Sequence, residues 1–391
     1  MFRSKLIMLL ALVLTMGVPT GAVLAQEAVL TSAQIAEGTA VIWDDAALSD
    51  AVTYTLTGVA GPAEGREYVG WLVDDRGGTS LSTGPIAVSD EGAINHVFDK
   101  NSRRYSGLNL IHEFNRVVIT DEAKDTDPDS PTGGNVFEYA IPDGAMTHIR
   151  HLISDWESGT NVGILTKLKN QIEIAITSAK AAGAATTLAD VKTHAQRVIN
   201  IVEGNEGDNF SSSATQPGDG LGILAHAADR QHASYAAGEA PTDAVVVENA
   251  AKAEIAGKNA ETSAIAARDT AKKILDQSAI NLAKLFTGSM LTHLEQAQNG
   301  RDADGDGIVD SVEGEGGASN AYVDVQRMAT YTLAGEVATV TPPVTEIEPA
   351  LPATGDVGLL SLAQVSLGAS LILLVLGLVT MRRARRSRER V

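Results

Sequence analysis

The sequence predicts an α+β multidomain chain: an N-terminal β-sandwich, then an Ala-rich α-helical bundle, then a C-terminal single transmembrane helix. Three observations carry that expectation. Short apolar runs cut by Gly, Asp and Pro fill residues 29–142, and several of them alternate apolar and polar. From Ala145 to about Met328, apolar residues recur instead at steps of three and four. Val357 to Met381 runs 25 residues without a charge, long enough to span a bilayer with some tilt.

Residues 1–25 read as a secretory signal peptide. Arg3 and Lys5 precede the apolar stretch Leu6 to Met16, and Val23-Leu24-Ala25 offers a small-residue cleavage site before Gln26. That stretch is too short to span a membrane comfortably, and Pro19 and Gly21 break it. Export with cleavage is therefore expected, rather than an uncleaved anchor.

Strands are expected at Val41–Trp43, Val52–Leu56, Tyr68–Val73, Ile86–Val88, Val117–Ile119 and Phe137–Ile141. Asp74 to Gly78 and Asp90 to Gly92 supply turn chemistry between them. Strands at this spacing predict a β-sandwich over residues 26–142. Tyr68 to Asp75, Ile86-Ala-Val88, the Asp90–Gly92 turn and Val117 to Glu122 resemble the extracytoplasmic domain of anti-sigma-K factors. Asp127-Pro128 and Pro131 to Gly134 are similar to that family's closing stretch. The resemblance implies the outer sandwich alone. Sigma-factor inhibition belongs to a cytoplasmic segment of that family, and here the expected cytoplasmic tail has ten residues.

Residues 143–332 are expected to form a helical bundle. Ile164, Leu168, Ile172, Ile176 and Ala179 make one apolar face, and Leu188, Val191, Ala195, Val198 and Val202 another, with Thr187 placed to cap the second. A Gly/Ser/Asp loop covers 204–220, and a further helix is expected over 221–237. Residues 243–285 read as one long Ala-rich helix interrupted only by Gly257, and Leu282 to Gln298 either continues it or folds back on it. Alanine lets such helices approach closely.

Within the bundle, residues 302–313 match a twelve-residue calcium loop. A hard cation takes six or seven oxygens, which alternate acidic side chains on a tight turn supply. Asp302, Asp304 and Asp306 would give one oxygen each, Gly307 the sharp turn and Ile308 its backbone carbonyl. Asp310 would act directly or through water, and Glu313 would be bidentate. The segment resembles an EF-hand loop and the solitary calcium loops of dockerin-like and thrombospondin-type repeats. Gly314, Gly316 and Gly317 interrupt an exiting helix, which argues for a structural brace and against a sensor that opens.

Residues 333–356, with Pro342, Pro343 and Pro349, read as an extended linker ending in Leu351-Pro352-Ala353-Thr354-Gly355. The span over 357–381 follows, and 382–391 closes the chain with six Arg. Positive-inside logic keeps that tail cytoplasmic and leaves everything upstream outside. Pentapeptide, span and basic tail in this order resemble the LPxTG cell-wall sorting signal of sortase substrates. The resemblance implies cleavage between Thr354 and Gly355 and transfer of the Thr354 carbonyl to a surface amine by a sortase-type transpeptidase. An ordinary single-pass membrane anchor is the alternative. Either way the expected location is the cell surface, with an extracellular ectodomain held at the plasma membrane or cell wall.

Composition narrows the task. With no cysteine, disulfides, thiolate metal sites and thiol nucleophiles are excluded. Of 30 basic and 49 acidic residues, residues 26–356 hold 22 and 48. So acidic a region repels phosphate backbones and favours cations, which excludes nucleic acid as a partner. No Gly-x-Ser-x-Gly elbow, phosphate-cradling Gly-Lys-Ser/Thr loop or dinucleotide fingerprint appears, so no enzyme is expected. The expected function is a calcium-braced structural, adhesion or interaction protein. One alternative is a metal- or redox-handling ectodomain. His148 and His151 are three apart on one helix, His226 and His232 lie on another, and His194 sits near an apolar face. Such histidines can converge in a bundle and take zinc, copper or haem. A second alternative is an envelope-sensing accessory of anti-sigma-K-like ancestry.

Overall fold

The computed structural model describes residues 35–156, 161–215 and 217–336. The expected signal peptide, LPATG pentapeptide, membrane span and basic tail lie outside the described residues. Among the described residues, no helix is long and apolar enough to cross a membrane.

Alternation builds the β part. In β2 (Ala51–Thr57), Val52, Tyr54 and Leu56 are buried while Thr55 and Thr57 face solvent. It joins β1 (Ile35–Trp43), β5 (Ile94–Phe98) and β8 (Thr330–Glu336) in one antiparallel sheet, ordered β5-β2-β1-β8. The second antiparallel sheet is ordered β4-β3-β6-β7, from β3 (Arg66–Val73), β4 (Ser80–Ile86), β6 (Arg116–Ala123) and β7 (Gly134–Ala140). The sheets share an apolar core, across which Thr83 Oγ1 donates to the Tyr54 hydroxyl at 3.2 Å. Val69, Trp71 and Val118 form a separate small cluster, and Trp71 Nε1 donates to Thr120 Oγ1 at 2.8 Å.

The last strand corrects the expected domain plan. β8 pairs with β1, Thr39 facing Thr332. Residues 333–336 are thus strand, where the linker was expected to begin. The expected 26–142 sandwich lacks this strand, and the bundle expected over 143–332 ends at 329. Tyr331 and Leu333 are buried and Thr332 is exposed, the period of a half-buried strand hidden in a Thr-rich composition. The helices are therefore an insertion between two edge strands, β7 and β8, which lie close together: a Cβ on Gly335 would come within 2.9 Å of the Phe137 ring.

The insertion comprises α2 (Asp143–Ile153), α3 (Ile164–Ala184), α4 (Leu188–Glu203), α5 (Ile223–Ala228), α6 (His232–Glu239), α7 (Ala244–Leu275), α8 (Ile280–Asn299) and α9 (Ala318–Met328). A four-residue helix, α1 (Leu110–Glu113), precedes β6. Thr187 caps α4 by accepting from Asp190 N at 3.1 Å. Asp243 caps α7 by accepting from Val245 N and Val246 N. The helix expected over 221–237 is instead α5 and α6, separated by a 3-10 turn at Asp229–Gln231. The long helix expected to reach residue 285 stops at Leu275; Ala279 is extended, and α8 folds back on α7. Small residues line the buried face of α7, where a Cβ on Gly257 would sit 2.7 Å from Arg230 Cδ. One apolar cluster runs from the sheets through α2 into α3, α4, α7 and α9, so sandwich and bundle share a core.

Candidate metal centres

The acidic loop hangs between α8 and α9. α8 ends at Gly300 with φ +74, and a Cβ there would meet the Glu315 carbonyl oxygen at 2.4 Å, so only glycine fits. The turn is then wound by carboxylates accepting from backbone N–H groups. Asp302 accepts from Gly305 N at 2.6 Å and Gly307 N at 2.9 Å; Asp304 accepts from Asp306 N at 3.1 Å and Asp306 from Ile308 N at 2.8 Å. The N–H groups of Gly307 and Gly305 hold the Asp302 carboxyl below the usual range. One carboxylate oxygen from each of Asp302, Asp304 and Asp306 lies within 4.8 Å of the others. Asp310 and Glu313 are exposed and stand outside that group, and the Ile308 side chain is also exposed.

The carboxylate turned back on the loop is Glu315, which the twelve-residue spacing does not single out. It is buried, accepts from Ala303 N and Asp304 N at 3.3 Å, and from Asp310 N at 3.1 Å. Two asparagines fasten the loop to neighbouring helices. Asn259 of α7 donates to the Val312 carbonyl at 2.7 Å and accepts from Gly314 N at 3.0 Å. Asn320 of α9 donates to the Val309 carbonyl at 2.8 Å.

A second cluster forms where α2 packs on α6. His148 and His151 share one face of α2, and His232 opens α6 against them. His232 Nδ1 lies 2.9 Å from His148 Nδ1 and 3.3 Å from His151 Nδ1. All three rings are half-buried. Trp156 stands 5.7 Å from the His151 ring and 5.1 Å from that of His232, while Tyr235 stands 5.4 Å from both His148 and His232. Burial, with His151 and His148 adding to it, pushes the His232 imidazole down to about 4. Burial and His148 also lower His151. Neutral imidazoles keep a lone pair for a metal.

The remaining bundle histidines do not join this group. Buried His226 meets Asp219 Oδ2 through Nε2 at 2.6 Å, and His194 meets Arg197 at 3.2 Å. The His148–His151 spacing was legible on one helix. The convergence of His232 was not, because it depends on how α6 docks, 81 residues after His151. No family model matches the chain, and no curated protein or solved structure matches it either.

Proposed function

We propose that this chain is an exported, surface-anchored structural or interaction protein without catalysis, whose helical insertion is braced by calcium at residues 302–313. One observation carries the proposal: the Asp302, Asp304 and Asp306 carboxylates gather in a loop fastened to α7 through Asn259 and to α9 through Asn320. A cation there would tie the end of α8 to the start of α9, with the Ile308 carbonyl, Asp310 and Glu313 completing the oxygen set. The acidic region between signal and anchor suits a calcium-rich exterior. The membrane, and a sortase-type transpeptidase acting at Leu351 to Gly355, are the proposed means of attachment.

Calorimetric titration of the full chain with calcium chloride tests the brace. A single site that Asp304→Ala abolishes is expected, whereas no calcium heat from the wild type refutes it. Protease treatment of intact cells tests the display: the ectodomain should be shaved from the surface, and complete protection would contradict surface exposure.

A further inference from the structure

His148, His151 and His232 form a second centre, with chemistry unlike that of the acidic loop. Each neutral imidazole has one N–H and one bare nitrogen. His232 Nδ1 faces two other Nδ1 atoms at hydrogen-bonding distance. If it carries a proton, it can donate to only one of them, and the other contact sets two nitrogens together without a hydrogen between. If it is bare, its single in-plane lone pair must accept from both. The three rings therefore cannot satisfy one another well, whichever tautomers they take.

One cation between them removes the conflict. Two nitrogens, each about 2.0–2.1 Å from a tetrahedral zinc, lie about 3.3 Å apart. The 3.3 Å separation matches that edge, the 2.9 Å one is shorter by a small side-chain adjustment, and all three ligand nitrogens lie within 4.8 Å of one another. His148 and His151 are fixed by the helical repeat of α2, and His232 by the packing of α6, so the donors are brought together before any ion arrives. Trp156 and Tyr235 pack beside the cluster, their rings 5.1 and 5.4 Å from that of His232. Three imidazoles and no thiolate suit zinc and copper, whereas calcium and magnesium want oxygen.

We infer that His148, His151 and His232 are the three protein ligands, each through Nδ1, of a site for a late first-row divalent cation, zinc or copper(II). The site is independent of the acidic loop and holds even if that loop binds nothing.

The test uses the untagged full chain, titrated separately with zinc chloride and copper(II) sulfate. One zinc per chain is expected, with unchanged affinity in Asp304→Ala and in His194→Gln. His232→Ala and His148→Gln should each weaken binding by about 100-fold or more, a loss at least equal to that seen when a ligand's supporting hydrogen bond is removed. Copper(II) should displace zinc and show nitrogen splitting in its electron paramagnetic resonance spectrum. Zinc and copper uptake unchanged in both histidine variants, or no uptake by the wild type, overturns the inference. Should either variant fail to fold, wild-type imidazole nitrogen NMR decides. Zinc must shift three of the eight histidines, and a spectrum in which none moves overturns the site.

Discussion

Gln326 Nε2 donates to Ser49 Oγ at 3.0 Å across 277 residues of chain, joining α9 to the turn between β1 and β2. The same nitrogen donates to Asp44 Oδ1 at 2.5 Å, so both of its hydrogens cross from bundle to sandwich. Gln326 and Ser49 are buried, and Gln326→Ala should cost about 1–3 kcal/mol. In a Trp156→Phe variant, which leaves Trp43 and Trp71 of the sandwich as the tryptophans, urea unfolding followed by helix dichroism and by tryptophan fluorescence should give coincident transitions. Two separated transitions would mean that sandwich and bundle are independent bodies.

β8 yields a sharper contrast. Leu333 is fully buried and Thr332 is exposed. Leu333→Ala should lower stability by about 2–4 kcal/mol, and Thr332→Ala by less than about 0.5 kcal/mol. Equal, negligible effects in denaturant melts would return these residues to the linker.

The two periodicities made most of the fold legible. Val52-Thr-Tyr54-Thr-Leu56 declared a half-buried strand, and the Ile164 to Ala179 repeat a helix. What stayed hidden was long-range. Thr330 to Glu336 has the composition of a spacer and becomes a strand only because β1 offers it an open edge. β5, Ile94 to Phe98, was missed because Asn95 and His96 interrupt its apolar residues. In the acidic loop the aspartate spacing was plain, but the role of Glu315 comes from a fold-back that no residue count encodes. Likewise, His148 and His151 announced a pair, and only helix docking supplied the third imidazole.

Glu122 should give the sandwich an acid limb. Burial opposes its ionisation, but the Thr120 and Thr132 hydroxyls and the Gly133 and Thr132 N–H groups outweigh burial and hold the carboxyl down to about 2. A folded value below the unfolded one stabilises above the ordinary carboxylate range, and that contribution is lost as pH falls through about 2. Glu122→Gln should therefore cost about 1–3 kcal/mol at pH 7 and flatten the stability curve between about pH 4.5 and 2. A mutant curve parallel to the wild type throughout would contradict this.

Glu315 and Glu313 should separate shape from ligation. Glu315→Gln weakens the hold on Ala303, Asp304 and Asp310 N–H groups, so it should lower the melting temperature even in chelator. Glu313→Gln, at an exposed side chain, should leave the chelator melt unchanged and weaken only calcium binding. Identical behaviour of the two variants in paired melts and titrations would undo the distinction.

Thermal melting of the full chain in 10 mM calcium and in chelator tests the calcium brace most directly. With the roughly 0.1 mM affinity of extracellular calcium modules, binding should add about 2.7 kcal/mol. For a fold of this size that raises the melting temperature by about 3–5 °C, and Asp304→Ala should remove the difference. A wild-type melt that is the same in calcium and in chelator would contradict the brace.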